Sequence, residues 1–334
     1  MKYILLTSMA VLTFACNTAQ TKAVKEMSRV EYMNTITAEE LSKHLYEFSD
    51  DKMEGRMTGQ PGQKMAAEYL KNFYIDQGIP APKGDSYYQV IPGSYFKRLK
   101  EANDSENVMA FIKGSEKPEE VIVLSAHYDH VGMHDGEIFN GADDDGSGTV
   151  AMMEIAEAFQ TAVNNGQGPK RSILFLHVTG EEIGLYGSKY YSENPIYPLA
   201  NTVCNLNTDM IGRIAPEKKD SPNYIYLIGS DKLSQGLHDL SEAVAKKYSD
   251  LELDYTFNAD DDPNRFYYRS DHYNFAKNNI PVIFYFNGVH EDYHKPTDTP
   301  DKIEYDLLAK RAQLIFQTTW EVANQEERIT ADKL

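Results

Sequence analysis

The residues of this chain that could do chemistry are acids and histidines gathered in five short stretches. They are His127-Tyr128-Asp129, Asp143-Asp144-Asp145, Glu181-Glu182, Asp209 in Asn207-Thr208-Asp209, and His294 in Tyr293-His294-Lys295-Pro296-Thr297-Asp298-Thr299. Histidine and carboxylate ligands suit zinc, and a carboxylate can bridge two such ions. Glu181-Glu182 is the central pair, because it directly follows the strand-like apolar run from Ser172 to Val178. Neighbouring strand residues point to opposite faces, and a carboxylate taken out of water without a partner is costly. At the end of such a strand the chain turns, so one carboxylate can hold a metal while its neighbour faces a substrate. Alone, Gly180-Glu181-Glu182 reads more simply as a solvated loop. The placement of the other four stretches reverses that reading.

Each stretch falls at the end of a segment expected to be a strand. Val121 to Ser125 is a continuous apolar, β-branched run, as in a strand covered on both faces. Ser172 to Val178, Thr202 to Met210, Tyr224 to Ile228 and Pro281 to Phe286 repeat the pattern. Between them, helical spacing predicts helices opened by Gly146-Ser147-Gly148, over about 234–247, and over about 305–323. Earlier in the chain Thr37 caps a helix with Glu39 and Glu40 in its first turn. A second helix carries Ala66, Leu70 and Phe73 and stops at Gly78 and Pro80. The pattern predicts one α/β unit, a three-layer sandwich with helices on both faces of a mostly parallel central sheet. In such sheets ligands bind beyond the carboxyl ends of the strands, where these five stretches lie.

Composition narrows the partners. With 334 residues the chain can bury a large core. A formal net charge of -18 argues against nucleic acid and anionic membrane surfaces. The start, from Met1-Lys2 through an apolar run to Ala15-Cys16, reads as a signal peptide over 1–16. Cys16 directly after Ala15 suggests a lipobox, although Thr13 and Phe14 depart from its usual pattern. The chain is therefore expected to be exported, either as a cell-envelope lipoprotein in the periplasm or outer membrane, or secreted. A lipid on Cys16 would be its only membrane contact. Residues 17–35 read as a flexible tether, 36–104 as N-terminal helices and strands packing on the core, and 105–328 as the domain that carries the five motifs. Cys204, the only other cysteine, is expected to be a small buried residue.

With these motifs in place, the chain resembles metallopeptidase family 28, the aminopeptidase Y or bacterial leucyl aminopeptidase type of co-catalytic zinc enzyme. The resemblance covers about residues 105 to 325 and implies the zinc-peptidase (phosphorylase/hydrolase-like) architecture with two Zn(2+) per chain. Position by position it puts His127 and Asp209 on one zinc, Glu182 and His294 on the other, and Asp144 between them. It makes Asp129 the residue that orients the His127 imidazole and Glu181 the general base. It further implies a cis peptide between Asp144 and Asp145, and a tyrosine near Ser270 that stabilises the oxyanion, Tyr267 or alternatively Tyr268. Asp271 is a supporting or structural acid. The implied activity is that of a zinc metallo-aminopeptidase on peptides with a free N-terminus, whose α-amine could ligate one zinc.

The remaining histidines are read more plainly. His177 is a hydrogen-bonded core residue, and His130, His134 and His272 lie near the site without binding metal. His290 stands four residues before His294, but Gly288 and Pro296 make the segment a loop, so only His294 is taken as a ligand. Asp260-Asp261-Asp262 is expected to border the substrate cleft and to favour cationic side chains. Alternatives are a mono-zinc glutaminyl cyclase of the same fold, a carboxypeptidase using Arg213 or Arg269, and a non-catalytic peptidase-like binding ectodomain.

Overall fold

The structure, a computed structural model, describes residues 27–334. The expected signal peptide, Cys16 and the first part of the tether lie outside these residues. The strands are β1 (Tyr88–Ile91), β2 (Ser105–Ile112), β3 (Lys117–His127), β4 (Gly132–His134), β5 (Glu137–Phe139), β6 (Arg171–Val178), β7 (Thr202–Thr208), β8 (Tyr224–Ile228), β9 (Glu252–Asp254) and β10 (Val282–Phe286). The helices are α1 (Arg29–Met33), α2 (Ala38–Phe48), α3 (Pro61–Asp76), α4 (Gly148–Asn164), α5 (Tyr186–Glu193), α6 (Gln235–Tyr248), α7 (His272–Ala276) and α8 (Tyr305–Asn324).

Eight strands form one sheet in the order β1-β2-β6-β3-β7-β10-β8-β9, and β4 and β5 make a separate hairpin. The pairs β3/β6, β3/β7, β7/β10 and β8/β9 are parallel, whereas β1/β2, β2/β6 and β8/β10 are antiparallel. The sheet is mostly parallel, as expected, with four parallel pairs and three antiparallel ones. Every residue of β6, β7 and β10 is buried, so β10 reads as an unbroken apolar run while β6 and β7 also bury polar side chains such as His177, Asn205 and Asn207.

Two apolar layers close the sandwich. On one face, Leu41 and Leu45 of α2, Leu70 of α3, Met153 and Phe159 of α4, Leu237 of α6 and Phe316 of α8 pack with Ile122, Ile173 and Ile283 of the sheet. On the other, Tyr191 of α5 and Phe275 of α7 pack with Val123, Leu174 and Val282. Among the described residues no helix is long and apolar enough to cross a membrane. Cys204 is buried and free, as expected.

One expectation is corrected at the N-terminal end. Residues 29–33, placed in the tether, form α1, with a capping box between Ser28 and Glu31. Arg29 bonds Gln317 at 2.5 Å and Glu321 at 2.6 Å on α8, and Tyr32 is buried. This segment is docked.

Register fixes the active end of the sheet. His127 pairs with Val178, Ser125 with Asn207, and Tyr285 with Thr208. The carboxyl ends of β3, β6, β7 and β10 thus lie side by side, and the turns leaving them form one rim.

Candidate metal centre

His127 is the last residue of β3, and Thr149 Oγ1 at the start of α4 donates to its carbonyl at 2.8 Å. Its Nδ1 lies 3.0 Å from the Asp129 carbonyl oxygen, which fixes the tautomer and turns Nε2 into the rim. Asp129 is thus the residue that orients the imidazole, as the resemblance implies. Its backbone makes the contact, with the carboxylate Oδ1 at 3.8 Å. The Asp129 carboxylate instead accepts Thr58 Oγ1 at 2.8 Å and the backbone N–H of Glu181 at 3.2 Å.

The acidic triplet leads into α4 through a π-helical turn at Ala142–Ser147 that is non-helical at Asp144 and Asp145, and the Asp144–Asp145 peptide is cis, as the resemblance implies. Gly141 enters this turn at φ 53°, and a Cβ there would fall 2.3 Å from the Asp144 carbonyl oxygen and 2.5 Å from the His130 ring. No other residue type fits. The three acids have separate tasks. Asp143 accepts Ser147 Oγ at 2.9 Å and the Gly212 N–H at 2.7 Å, and its other oxygen meets His290 Nε2 at 3.0 Å. Asp145 accepts the N–H groups of His127, Gly148 and Met210. Asp144 is left facing the rim.

Its two oxygens divide the site. Asp144 Oδ1 lies 3.1 Å from His127 Nε2, which in turn is 3.6 Å from Asp209 Oδ1. Asp144 Oδ2 lies 3.0 Å from His294 Nε2, which is also 3.0 Å from Glu182 Oε2. Ligand atoms about 2.0–2.2 Å from a common tetrahedral ion stand roughly 3–3.5 Å apart, so these spacings suit two ions with Asp144 shared. Ser270 Oγ orients Asp209 by donating to Oδ2 at 2.6 Å. All five residues assigned as ligands meet here.

Unbonded atoms support the same reading. Buried His127 Nε2 and His130 Nε2 make no hydrogen bond. Such atoms are costly to bury unless something else coordinates them. Burial works against a charged His127, yet Asp209, Glu181 and Asp144 hold it well above the ordinary histidine range. Burial also pushes the Glu181 carboxyl well above the usual carboxylate range, with His127 opposing and Glu182, Asp209 and Asp271 adding to the rise. A donor set of this charge fits divalent zinc.

His130 sits closer than expected, with Nδ1 2.7 Å from Glu182 Oε1, and belongs to a ligand-type group with Asp144 and Glu182. His177 bonds the Tyr74 hydroxyl at 2.7 Å inside the core. His134 is exposed on β4, and His272 is buried against Phe284. Asp271 is wholly buried and accepts from Ser188 Oγ. Burial above all holds its carboxyl at about 7.

Residues that sequence reasoning missed hold the rim together. The buried Arg56 donates to the carbonyls of Phe48, Tyr128, Asn140 and Gly141 at 2.7–3.2 Å, tying the loops after β3 and β5 to the N-terminal helices. Asp298 accepts the N–H groups of Asp143 and Asp144 at 3.0–3.1 Å.

The pocket beside the ligands is lined by Glu181, Met210, Phe266, Arg269, Phe284, Phe286, Val289, Tyr293 and His294. Tyr267 does not line it. It lines, with Tyr268, Lys232 and Asp260-Asp261-Asp262, a different depression. The phenol that lines the pocket is Tyr293, stacked on His294 with ring centroids 3.9 Å apart.

A mixed sheet between helical layers, with histidines and carboxylates paired around one shared aspartate at the strand ends, defines a zinc-peptidase type of architecture. The sequence profile of peptidase family M28 matches residues 107–319, and the chain belongs to that family. It is 27% identical over 305 residues to a protein of Pyricularia oryzae named "Probable zinc metalloprotease", covering 77% of this chain and 58% of that one. It is 25% identical over 259 residues to "Aminopeptidase YwaD" of Bacillus subtilis, covering 75% of this chain and 52% of that one. The chain thus spans little more than half the length of these relatives. The crystal structure of the Legionella pneumophila LapA aminopeptidase superposes with a TM-score of 0.68 at 19% identity, over 96% of this chain and 81% of that one. That likeness confirms the fold.

Proposed function

We propose that this chain is an exported di-zinc aminopeptidase that removes N-terminal residues from peptides. The observation that carries the reading is the division of Asp144, one oxygen toward His127 and Asp209, the other toward His294 and Glu182. A mono-zinc cyclase would need only one of these groups. A non-catalytic binding ectodomain would not need Glu181, which lies in the pocket beside the ligands. Arg213, considered for a carboxypeptidase, is engaged with Asp292 at 3.0 Å.

His127 and Asp209 would hold one ion, His294 and Glu182 the other, and Asp144 both. The bound pair supplies Lewis acidity, lowering the pKa of a water toward neutrality and polarising the scissile carbonyl. The chain's own groups do the rest. Glu181 takes the water proton and delivers it to the leaving amine. Asp129 anchors the Glu181 backbone while its carbonyl orients His127. Tyr293, which lines the pocket, joins Tyr267 as a candidate for the phenol that stabilises the oxyanion. The apolar walls of Met210, Phe266, Phe284, Phe286 and Val289 receive the first side chain and exclude water.

The test is metal content together with turnover of aminoacyl, N-blocked and N-terminal glutaminyl peptides. Two zinc ions per chain and cleavage confined to free N-termini are expected. Cyclisation of glutamine with one zinc would replace the reading with the cyclase, and full metal with no turnover would leave a binding scaffold. Export and lipidation at Cys16 are proposed from the sequence pattern alone. Cys16→Ser should release the protein from membranes and abolish labelling by a fatty-acid probe; unchanged partition and labelling would refute lipidation.

A further inference from the structure

Away from the rim, a different set of ligand-type side chains converges where α2 crosses α4. Glu40 and His44 are four residues apart in α2, and so share one helix face. Glu154 meets them from α4, with one ligand atom of each residue within 4.8 Å of the others. Two observations set this group apart from an ordinary solvated cluster. Glu154 is only 3% exposed, and its Oε1 makes no hydrogen bond. That oxygen faces His44 Nε2 at 3.4 Å. The distance is long for a hydrogen bond, but it equals the separation of about 3.4 Å expected for two ligands of one tetrahedral zinc ion.

The histidine is also oriented as a ligand. His44 Nδ1 lies 2.7 Å from the Tyr69 hydroxyl of α3. With the proton on Nδ1, that contact leaves the Nε2 lone pair directed at Glu154, the arrangement usual for a metal-bound imidazole.

We propose that Glu40, His44 and Glu154 form a second, non-catalytic zinc site that pins α2 to α4. Glu40 leaves the site open to solvent, since its side chain is 44% exposed and its only ion pair is a surface contact with Lys43 at 3.2 Å. Burial, with Glu157 and Glu40 adding and Lys43 opposing, holds the Glu154 carboxyl at about 8, and an ion would take the place of that proton. The site acts on a helix that matters. α4 begins at Gly148, immediately after the Asp143–Ser147 turn that presents Asp144. The competing description is a hydrogen-bonded Glu154–His44–Tyr69 chain with no metal.

The experiment uses the full chain and zinc alone as the probe. Wild type, His44→Gln and Glu40→Gln are equilibrated with zinc, freed of unbound metal, and their zinc per folded chain is counted by mass spectrometry. Both substitutions fall on partly exposed positions of α2, so folding is expected and circular dichroism verifies it. Each variant should hold one zinc fewer than wild type, while peptide turnover persists. Equal zinc in all three proteins would overturn the proposal. A lowered Tm in His44→Gln with unchanged zinc would also overturn it, leaving the hydrogen-bonded chain as the explanation.

Discussion

Asp129 binds the backbone N–H of Glu181 at 3.2 Å through its carboxylate while its own carbonyl holds His127 Nδ1 at 3.0 Å. One residue therefore sets the aim of His127 on β3 and of Glu181 after β6, the proposed ligand and the proposed base. With the base held in place this way, replacing its carboxylate should remove proton transfer and little else. Glu181→Gln is expected to lower kcat by roughly 10²–10⁴-fold while zinc content stays at the wild-type value. Parallel loss of metal and activity would show that Glu181 is a ligand instead.

Asp144 is the residue shared by both ligand groups, so its loss should be felt twice. In Asp144→Asn the affinity for both ions should fall by more than the roughly 10–100-fold typical of a supporting partner. Zinc titration followed by calorimetry would show it, and one ion retained at full affinity would argue against sharing.

Under the proposed function, the apolar pocket walls should favour apolar N-terminal residues, and Arg269 at the pocket should disfavour cationic ones. Leucyl or methionyl substrates should exceed alanyl ones by roughly 10–200-fold in kcat/KM. They should also exceed lysyl substrates, and Arg269→Gln should narrow that second gap. Neutralising Asp260, Asp261 and Asp262 should leave these ratios unchanged, because the triplet faces a separate depression. A selective loss of lysyl turnover in that triple variant would restore the earlier expectation of an acidic cleft.

Much of this site was legible because metal chemistry writes itself in residue types. His127, Asp144, Glu182, Asp209 and His294 all stand just beyond segments whose apolar, β-branched composition announces buried strands. The supports were not legible. Arg56 sits in a short polar loop, and nothing in its neighbours says that its guanidinium is buried against four distant carbonyls. Tyr267 and Tyr293 are the same residue type near equally suggestive motifs, and only the fold shows which lines the pocket. Helices α5 and α7 and the β4–β5 hairpin are too short to carry a clear period. Helix α1 did leave a sign, the Ser28-x-x-Glu31 capping box, in a stretch whose polarity suggested a tether.

Removing Arg56 should be costly, since each buried carbonyl left without a donor loses about 1–3 kcal/mol. Arg56→Met is expected to lower unfolding free energy by at least about 3 kcal/mol, read from denaturant midpoints. Zinc affinity should fall too, because the Asn140–Gly141 segment leads into the Asp144 turn. A stability change under about 0.5 kcal/mol, the scale of a neutral surface change, would contradict the role assigned here.

Glu154 links pH to stability. In the folded chain it keeps its proton up to about 8, whereas an unconstrained glutamate loses it near 4.5. Between those values the folded state binds more protons, so stability of the metal-free protein should fall as pH rises. The groups around it are Glu40, Lys43 and His44 of α2, Tyr69 of α3 and Glu157 of α4. Denaturation of the chelator-treated protein from pH 5 to 8 should show a shallower decline in Glu154→Gln than in wild type. Identical slopes would mean that Glu154 is ionised throughout.

The four carbonyls held by Arg56, and the hydroxyl that Thr58 offers to Asp129, bear on where this chain can be cut. The family profile starts at residue 107, yet both side chains come from well upstream of it. A fragment trimmed to the profile would carry every metal ligand and still present them from unanchored loops. The working unit is larger than its recognisable signature. For anyone grafting, shuffling or minimising such enzymes, the segment around residues 56–58 travels with the active site and cannot be exchanged as a separate module.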